Sequence, residues 1–308
     1  MTPLIQRRRP LVSVIVPTCE RPELLHEAIG SVAAQDLGND LEMIVVNDAR
    51  PSVASVVREW DNVLTIRLLE PSRRSGPAST RNLGIEHARG QYLSFLDDDD
   101  LFVAGHLAAI LPPLERGEAD LVYAGAAVSD RRLGVPLPDL SAFPLKAYPY
   151  DRRFLLVANY VHTASVMVRS FRDSPIRFDE ELDVCEDWDM WLALAVGLDF
   201  RVQFVDEITS IYHQVPDVVG LVAQAQLVSP SRFSVARDII HAKWPSDDPI
   251  VVGYRAWLTE LEGVRSGLIA KSRRMPNLLF DDILSYLHPR VSAGRPPDVH
   301  DMAKFFSE

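Results

Sequence analysis

Along the first 130 residues, short continuous runs of hydrophobic residues alternate with segments whose hydrophobic residues recur every three or four positions. Short apolar runs rich in β-branched residues predict strands at residues 11–16, 41–46, 63–69, 92–96 and 120–128. Apolar positions three and four residues apart predict helices at residues 22–35, 78–88 and 106–114. This alternation favours an α/β fold with a mostly parallel, doubly wound sheet and right-handed crossovers.

The pattern changes after residue 130. Four prolines and mixed aromatic residues interrupt residues 130–153, so we predict an irregular segment there. A further piece of sheet is predicted at 162–168, a helix begins near Glu186, and amphipathic helices without strand partners are predicted at 234–243, 250–268 and 277–286. We therefore predict three regions, which are a disordered arm at residues 1–10, an α/β domain at 11–215 and a helical region at 216–308.

Composition narrows the classes of partner. The net charge of -11 disfavours nonspecific attraction to nucleic acid and to anionic membrane surfaces. Only Cys19 and Cys185 are present, which is too few for a disulfide framework. No apolar run approaches the length of about 18 residues that a transmembrane helix needs. We expect a cytoplasmic protein with no nucleic-acid partner and no integral membrane segment.

Four consecutive aspartates, Asp97, Asp98, Asp99 and Asp100, follow the predicted strand at residues 92–96. Adjacent carboxylates repel one another and raise one another's pKa unless a positive charge lies among them, and a divalent cation is the usual solution. Their oxygen ligands suit Mg²⁺ or Mn²⁺. The alternative is that the last three aspartates cap a helix that begins near Leu101.

Polar residues also follow the first two predicted strands. Thr18 and Glu20 come after the first strand, and Asp48 comes after the second. Ligands of doubly wound sheets bind at the carboxyl ends of the strands. We therefore expect these side chains to share one site with the aspartates of residues 97–100.

Five motifs occur between residues 12 and 213. They are Val14-Ile15-Val16-Pro17-Thr18 with Glu20-Arg21-Pro22, Ile44-Val45-Val46-Asn47-Asp48, Ala78-Ser79-Thr80-Arg81-Asn82-Leu83-Gly84, Phe95-Leu96 with the four aspartates, and Cys185-Glu186-Asp187-Trp188-Asp189. In this order they resemble the family 2 glycosyltransferases of the GT-A fold. The resemblance implies a GT-A fold and a metal-dependent, inverting enzyme that moves a sugar from a nucleotide sugar to an acceptor hydroxyl.

The resemblance also implies a nucleotide-sugar site. In family terms, Pro17, Thr18, Glu20 and Asp48 lie at the base and ribose, and a carboxylate accepts hydrogen bonds from both. Taken alone, Asp48 is typical of a turn after a strand. The further residues implied at the nucleotide are Arg81, Asp97 and Asp98. The loop before the predicted helix at residues 78–88 carries Arg73, Arg74 and Gly76. The two arginines are equally well explained as a solvated surface pair.

The four aspartates match the family's DXD motif. By resemblance, Asp99 binds the cation, Asp97 or Asp98 contacts ribose or metal, and Asp100 caps the following helix. His213 is a further candidate metal ligand, with an ordinary surface histidine as the alternative. The cation neutralises charge on the departing nucleoside diphosphate. The implied cofactor is Mn²⁺ or Mg²⁺.

Catalysis is assigned by the same resemblance to Glu186 and Asp187. Asp187 is the general base that deprotonates the acceptor hydroxyl, and Glu186 orients it or the acceptor. The alternative is an acidic pair that complements the dipole of a helix start. Trp188 and Asp189 are supporting residues, and His162 is a candidate contact to the sugar or acceptor.

The implied partners are a UDP-, GDP- or dTDP-sugar donor and a carbohydrate, lipid-linked or natural-product acceptor. The irregular segment and the C-terminal helices would shape the acceptor site or oligomer contacts, and a homodimer is kept open. Two other functions are also kept open. One is a noncatalytic nucleotide-sugar or glycan binder, and the other is a sugar-1-phosphate nucleotidylyltransferase, although its Gly-rich loop is missing after the first strand.

Overall fold

The computed structural model of the chain describes residues 9–134, 136–215, 230–269 and 279–306. The predicted arm at residues 1–10 lies outside these ranges except for Arg9 and Pro10. No helix within them is both long enough and apolar enough to cross a bilayer.

A nine-stranded sheet organises the described part of the chain. Its strands are β1 Val12–Thr18, β2 Leu41–Asn47, β3 Thr65–Leu69, β4 Tyr92–Phe95, β5 Leu101–Phe102, β6 Leu121–Ser129, β7 Leu145–Lys146, β8 Val166–Arg169 and β9 Val202–His213. The order is β3-β2-β1-β4-β8-β6-β9-β5, and β7 pairs with β6. Strands β1 to β4, β6 and β9 run in one direction, whereas β5, β7 and β8 run antiparallel to their neighbours. The predicted mostly parallel α/β sheet is confirmed.

Helices cover both faces of the sheet. They are α1 Pro22–Ala33, α2 Ala54–Arg58, α3 Pro77–His87, α4 His106–Glu115, α5 Arg152–Val157, α6 Glu186–Leu192, α7 Arg232–Lys243, α8 Pro249–Ile269 and α9 Leu279–Ser292. Apolar residues of α1 and α4 form one hydrophobic cluster with the sheet. Residues of α3, α5 and α6 form the second cluster on the opposite face. Near-continuous burial of β1 and β2 follows from coverage on both sides.

The three C-terminal helices share the second cluster rather than forming a separate core. Trp257 of α8 and Leu284 of α9 are buried in it together with Trp191 of α6. The side chain of Asp189 in α6 also accepts hydrogen bonds from Lys243 and Trp244, at 2.7 Å each. The helical region is therefore packed directly onto the helix that carries the predicted base.

The chain after the acidic residues 97–100 differs from the sequence prediction. No helix begins at Leu101, because residues 101–102 form the short strand β5, which pairs with β9, and α4 begins only at His106. A bulge opposite Gly125 interrupts the pairing of β9 with β6 at the polar residues Asp206 and Glu207.

Candidate donor and catalytic site

The acidic loop, residues 97–100, leaves β4 next to the end of β1. Strand β1 lies between β2 and β4 and is parallel to both, so the three carboxyl ends share one edge of the sheet. The hydroxyl of Thr18 donates to Asp98 Oδ2 at 2.6 Å. The predicted convergence of the first strand end and the aspartates is therefore present.

The guanidinium of Arg21 lies across two of the aspartates. Its Nη1 donates to Asp99 Oδ2 at 2.6 Å, and its Nη2 lies 2.5 Å from Asp98 Oδ1 without the alignment of a hydrogen bond. Burial raises the pKa of Asp98 to about 7, although Arg21 opposes the rise. Arg21 thus occupies the place between two carboxylates that a cation is expected to take. The sequence motif contained Arg21 but did not indicate this role.

A second arginine joins the acidic loop to the start of α6. The buried guanidinium of Arg81 contacts Asp97 Oδ1 and Glu186 Oε1, at 2.5 Å each. Burial opposes ionisation of Asp97, but Arg81 outweighs it and lowers the pKa of that carboxyl. Burial raises the pKa of Glu186 to about 7 despite Arg81. The nucleotide contact predicted for Arg81 stays a prediction, since both of its terminal nitrogens face protein carboxylates here.

Asp100 does not cap a helix, and that expectation was wrong because strand β5 follows the acidic loop directly and α4 begins only at His106. Its Oδ1 instead accepts from the backbone N–H of His213 at 2.9 Å, and its Oδ2 lies 3.2 Å from His162 Nε2. Burial and then Asp99 raise the pKa of Asp100 well above its ordinary value. Burial lowers the pKa of His162 to about 4. Burial thus disfavours the charged form of both groups at this contact.

The ring of His213 is held by two backbone groups. Its Nδ1 lies 2.7 Å from the carbonyl oxygen of Asp99, and its Nε2 accepts from the N–H of Leu133 at 3.2 Å. Arg132 also donates to the Asp99 carbonyl at 2.5 Å. In this conformation neither ring nitrogen is available to a metal, so ligation by His213 stays a prediction that requires one of these bonds to break.

Asp48 holds the loop that precedes α3. It accepts from the backbone N–H groups of Ser75 and Gly76, at 2.7 Å each. Gly76 has φ +87°, a conformation that residues with a Cβ rarely adopt. The side chain of Glu20 is exposed, and Pro17 lies in β1. Contacts from Pro17, Glu20 and Asp48 to a nucleoside stay predictions.

Asp187, at the start of α6, is fixed by three donors. Asn159 Nδ2 and Thr163 Oγ1 both donate to its Oδ2, at 3.0 Å each. The backbone N–H of Trp188 donates to Oδ1 at 2.7 Å. Sequence reasoning did not identify Asn159 or Thr163, although both lie in the polar stretch before β8 that contains His162.

The acidic loop fits a divalent cation that takes some of its ligands from the protein and the rest from a bound substrate. Within the described ranges, no three acidic, histidine or cysteine side chains converge on one point. Asp97 and Asp99 each remain 29% exposed, and each has one oxygen that no described donor reaches. One or two carboxylates completed by phosphate oxygens and water is the usual protein environment of Mg²⁺.

The fold and this edge of the sheet define a class of enzyme. A doubly wound α/β sheet carries carboxylates at adjacent strand ends, and an acidic helix start faces them, as in enzymes that bind nucleotides at a topological switch point. The sequence pattern of Glycosyl transferase family 2 matches residues 13–174, which is more than half of the chain. The chain belongs to this family and is a glycosyltransferase.

Individual relatives agree with this assignment. The chain is 31% identical over 204 residues to the uncharacterised glycosyltransferase YwdF of Bacillus subtilis (strain 168), covering 65% of this chain and 73% of YwdF. The structure of S. aureus TarS 1–349 in complex with UDP-GlcNAc superposes with a TM-score of 0.63 at 21% identity, covering 95% of this chain and 87% of TarS. Mannosyltransferase PcManGT from Pyrobaculum calidifontis, in complex with GDP-Man and Mn²⁺, superposes with a TM-score of 0.57 at 18% identity, covering 93% and 87%. At these identities the two structures establish the GT-A fold.

Proposed function

We propose that this glycosyltransferase is metal-dependent and inverting, and that it transfers a sugar from a nucleoside-diphosphate sugar to an acceptor hydroxyl. The Arg81 bridge is the observation that carries the proposal. It connects Asp97 of the acidic loop with Glu186, the neighbour of Asp187, through contacts of 2.5 Å each. A donor-binding loop and a candidate base are thereby held in one rigid arrangement, as a displacement at the anomeric carbon requires.

The donor site in this proposal is the edge formed by β1, β2 and the acidic loop. Asp97 and Asp99 would hold Mg²⁺ or Mn²⁺ together with the donor's diphosphate oxygens. The bound cation would neutralise negative charge that develops on the leaving group. The complexes of TarS with UDP-GlcNAc and of PcManGT with GDP-Man and Mn²⁺ support a UDP- or GDP-sugar donor and a divalent cation.

In the proposed chemical step, Asp187 is the general base. Its carboxylate takes the proton of the acceptor hydroxyl while the acceptor oxygen attacks the anomeric carbon. The bond between that carbon and the phosphate oxygen breaks, and its electron pair leaves with the nucleoside diphosphate. Attack from the face opposite the leaving group inverts the anomeric configuration. Glu186, held by Arg81, positions Asp187 from the adjacent place in the helix.

Two measurements test the proposal. Thermal shift with UDP, GDP, CDP and dTDP, each with and without Mn²⁺, should reveal one nucleotide whose stabilisation requires the metal, because a ligand of the folded state raises the melting temperature. Asp187→Asn should then abolish sugar transfer while retaining nucleotide binding. Asp183→Asn is the matched control, since Asp183 is an exposed acid near the same helix. Undiminished turnover in Asp187→Asn would refute the base assignment.

A further inference from the structure

The hydrogen bonds at Asp187 distinguish its two carboxylate oxygens. Oδ2 accepts from both Asn159 and Thr163, at 3.0 Å each, whereas Oδ1 accepts only the N–H of Trp188 among the described donors. A carboxylate oxygen has about two lone-pair positions. Oδ2 is therefore saturated, and Oδ1 retains one position for a proton.

The two side-chain donors are themselves fixed. Asn159 Oδ1 accepts from the N–H of Val161 at 3.3 Å, which directs the amide nitrogen toward Asp187. Thr163 is 4% exposed and begins the short helical turn Thr163–Ser165 that leads into β8. Both hydrogen-bond donors to Asp187 Oδ2 thus come from the segment 159–163.

The same segment contacts the acidic loop. His162 lies between the two donors in sequence, is 8% exposed, and places Nε2 3.2 Å from Asp100 Oδ2. Its ring also packs against Tyr212 of β9, with ring centroids 4.5 Å apart. Segment 159–163 therefore contacts the acidic loop and β9 through His162 while its two ends orient the carboxylate of Asp187.

We propose that Asn159 and Thr163 are positioning residues that fix Asp187 so that Oδ1, and not Oδ2, receives the acceptor's proton. The inference rests on the proposed role of Asp187 as base. Loss of either donor frees the carboxylate to rotate, so fewer bound substrates meet Oδ1 in a reactive geometry. The chemical step slows, while donor binding at the acidic loop is retained.

The test uses the full-length chain and four substitutions. Thr163→Val removes the hydroxyl at nearly constant volume, Thr163→Ser restores it, and Asn159→Leu removes the amide. Thr209→Val is the matched control. Thr209 is also a buried threonine with a hydrogen-bonded hydroxyl, but its partner is His106, at 2.9 Å. The probe reaction is hydrolysis of the nucleotide sugar whose base the thermal-shift screen selects, with release of the nucleoside diphosphate as the signal.

We expect Thr163→Val and Asn159→Leu each to lower kcat about tenfold, with KM for the donor changed less than about twofold. Thr163→Ser should recover most of the wild-type kcat, and Thr209→Val should leave it unchanged. Equal kcat in Thr163→Val and wild type, or equal loss in Thr163→Ser and Thr163→Val, would overturn the positioning role. If Asp187→Asn itself turns over at the wild-type rate, the base assignment fails instead, whatever the Thr163 variants show.

Discussion

Replacement of Arg81 by methionine should destabilise the protein through two carboxylates at once. The side chain of Arg81 is 5% exposed, and those of its partners Asp97 and Glu186 are 29% and 10% exposed. Methionine fills much of the same volume but supplies neither charge nor hydrogen-bond donors. The variant therefore leaves Glu186 buried without its cation and leaves Asp97 with partial access to water.

The magnitude follows from the burial of the pair. Removing one partner of a buried ion pair costs about 3–5 kcal/mol, and the partial exposure of Asp97 favours the lower end, about 3 kcal/mol. At about 2 °C per kcal/mol for a chain of this size, the melting temperature should fall by about 6 °C. The loss depends on pH, because the pKa of Glu186 is raised to about 7 already with Arg81 present. Without Arg81 that pKa rises further, so the folded variant binds a proton that the unfolded chain releases, and its stability falls as pH rises.

The assay is thermal unfolding followed by circular dichroism, at pH 6 and pH 8, without metal. Arg116→Met is the matched control. Arg116 forms an exposed ion pair with Glu118, so its loss should hardly change the melting temperature. The double variant Arg81→Met with Glu186→Gln should recover part of the loss at pH 8. If the melting temperature of Arg81→Met falls by less than about 2 °C at pH 8, or by the same amount at both pH values, this bridge does not compensate buried charge.

Two other predictions follow from the charges around the site and in the core. Arg21→Gln should strengthen binding of Mn²⁺ to the nucleotide-free protein about three- to tenfold, because the guanidinium on Asp98 and Asp99 competes with the cation; weaker or equal binding by calorimetry would contradict this. Burial lowers the pKa of His106 from 6.5 to about 3. The unfolded chain therefore binds a proton below pH 6.5 that the folded chain does not, and stability is lost as pH falls. At pH 5 the loss is about 2 kcal/mol. Urea unfolding at pH 7.5 and 5 should show that His106→Gln reduces this loss, and an unchanged pH dependence would exclude His106 as its source.

The sheet was predictable because its central strands carry strong local signals. The apolar runs of β1 and β2 and the spacing in α1, α3 and α4 each identify their element without tertiary information. Strand β5 was missed because two residues hold no periodicity, and only its pairing with β9 gives it structure. The helix cap expected of Asp100 failed for the same reason, since a tertiary pairing replaced the local preference.

The candidate site was predictable at its motifs and not at its connections. The acidic loop and the pair at Glu186 are visible as clusters of charge in the sequence. The contacts of Arg81 with Glu186 and of Thr163 with Asp187 join residues 105 and 24 positions apart, and no spacing rule reports them. Arg21 stands in a recognisable motif, yet only the proximity of β1 and β4 brings it onto Asp98 and Asp99.

The most direct test of the central claim is the position of the cation in a crystal. Crystals grown with Mn²⁺ and the nucleoside diphosphate selected by thermal shift should give an anomalous difference peak about 2.1 Å from a carboxylate oxygen of Asp99, with a diphosphate oxygen in the same coordination sphere. Arg21 should then have moved away from Asp99. A bound nucleotide with no peak at the acidic loop, or with manganese remote from Asp97 and Asp99, would contradict a metal-dependent donor site built on these aspartates.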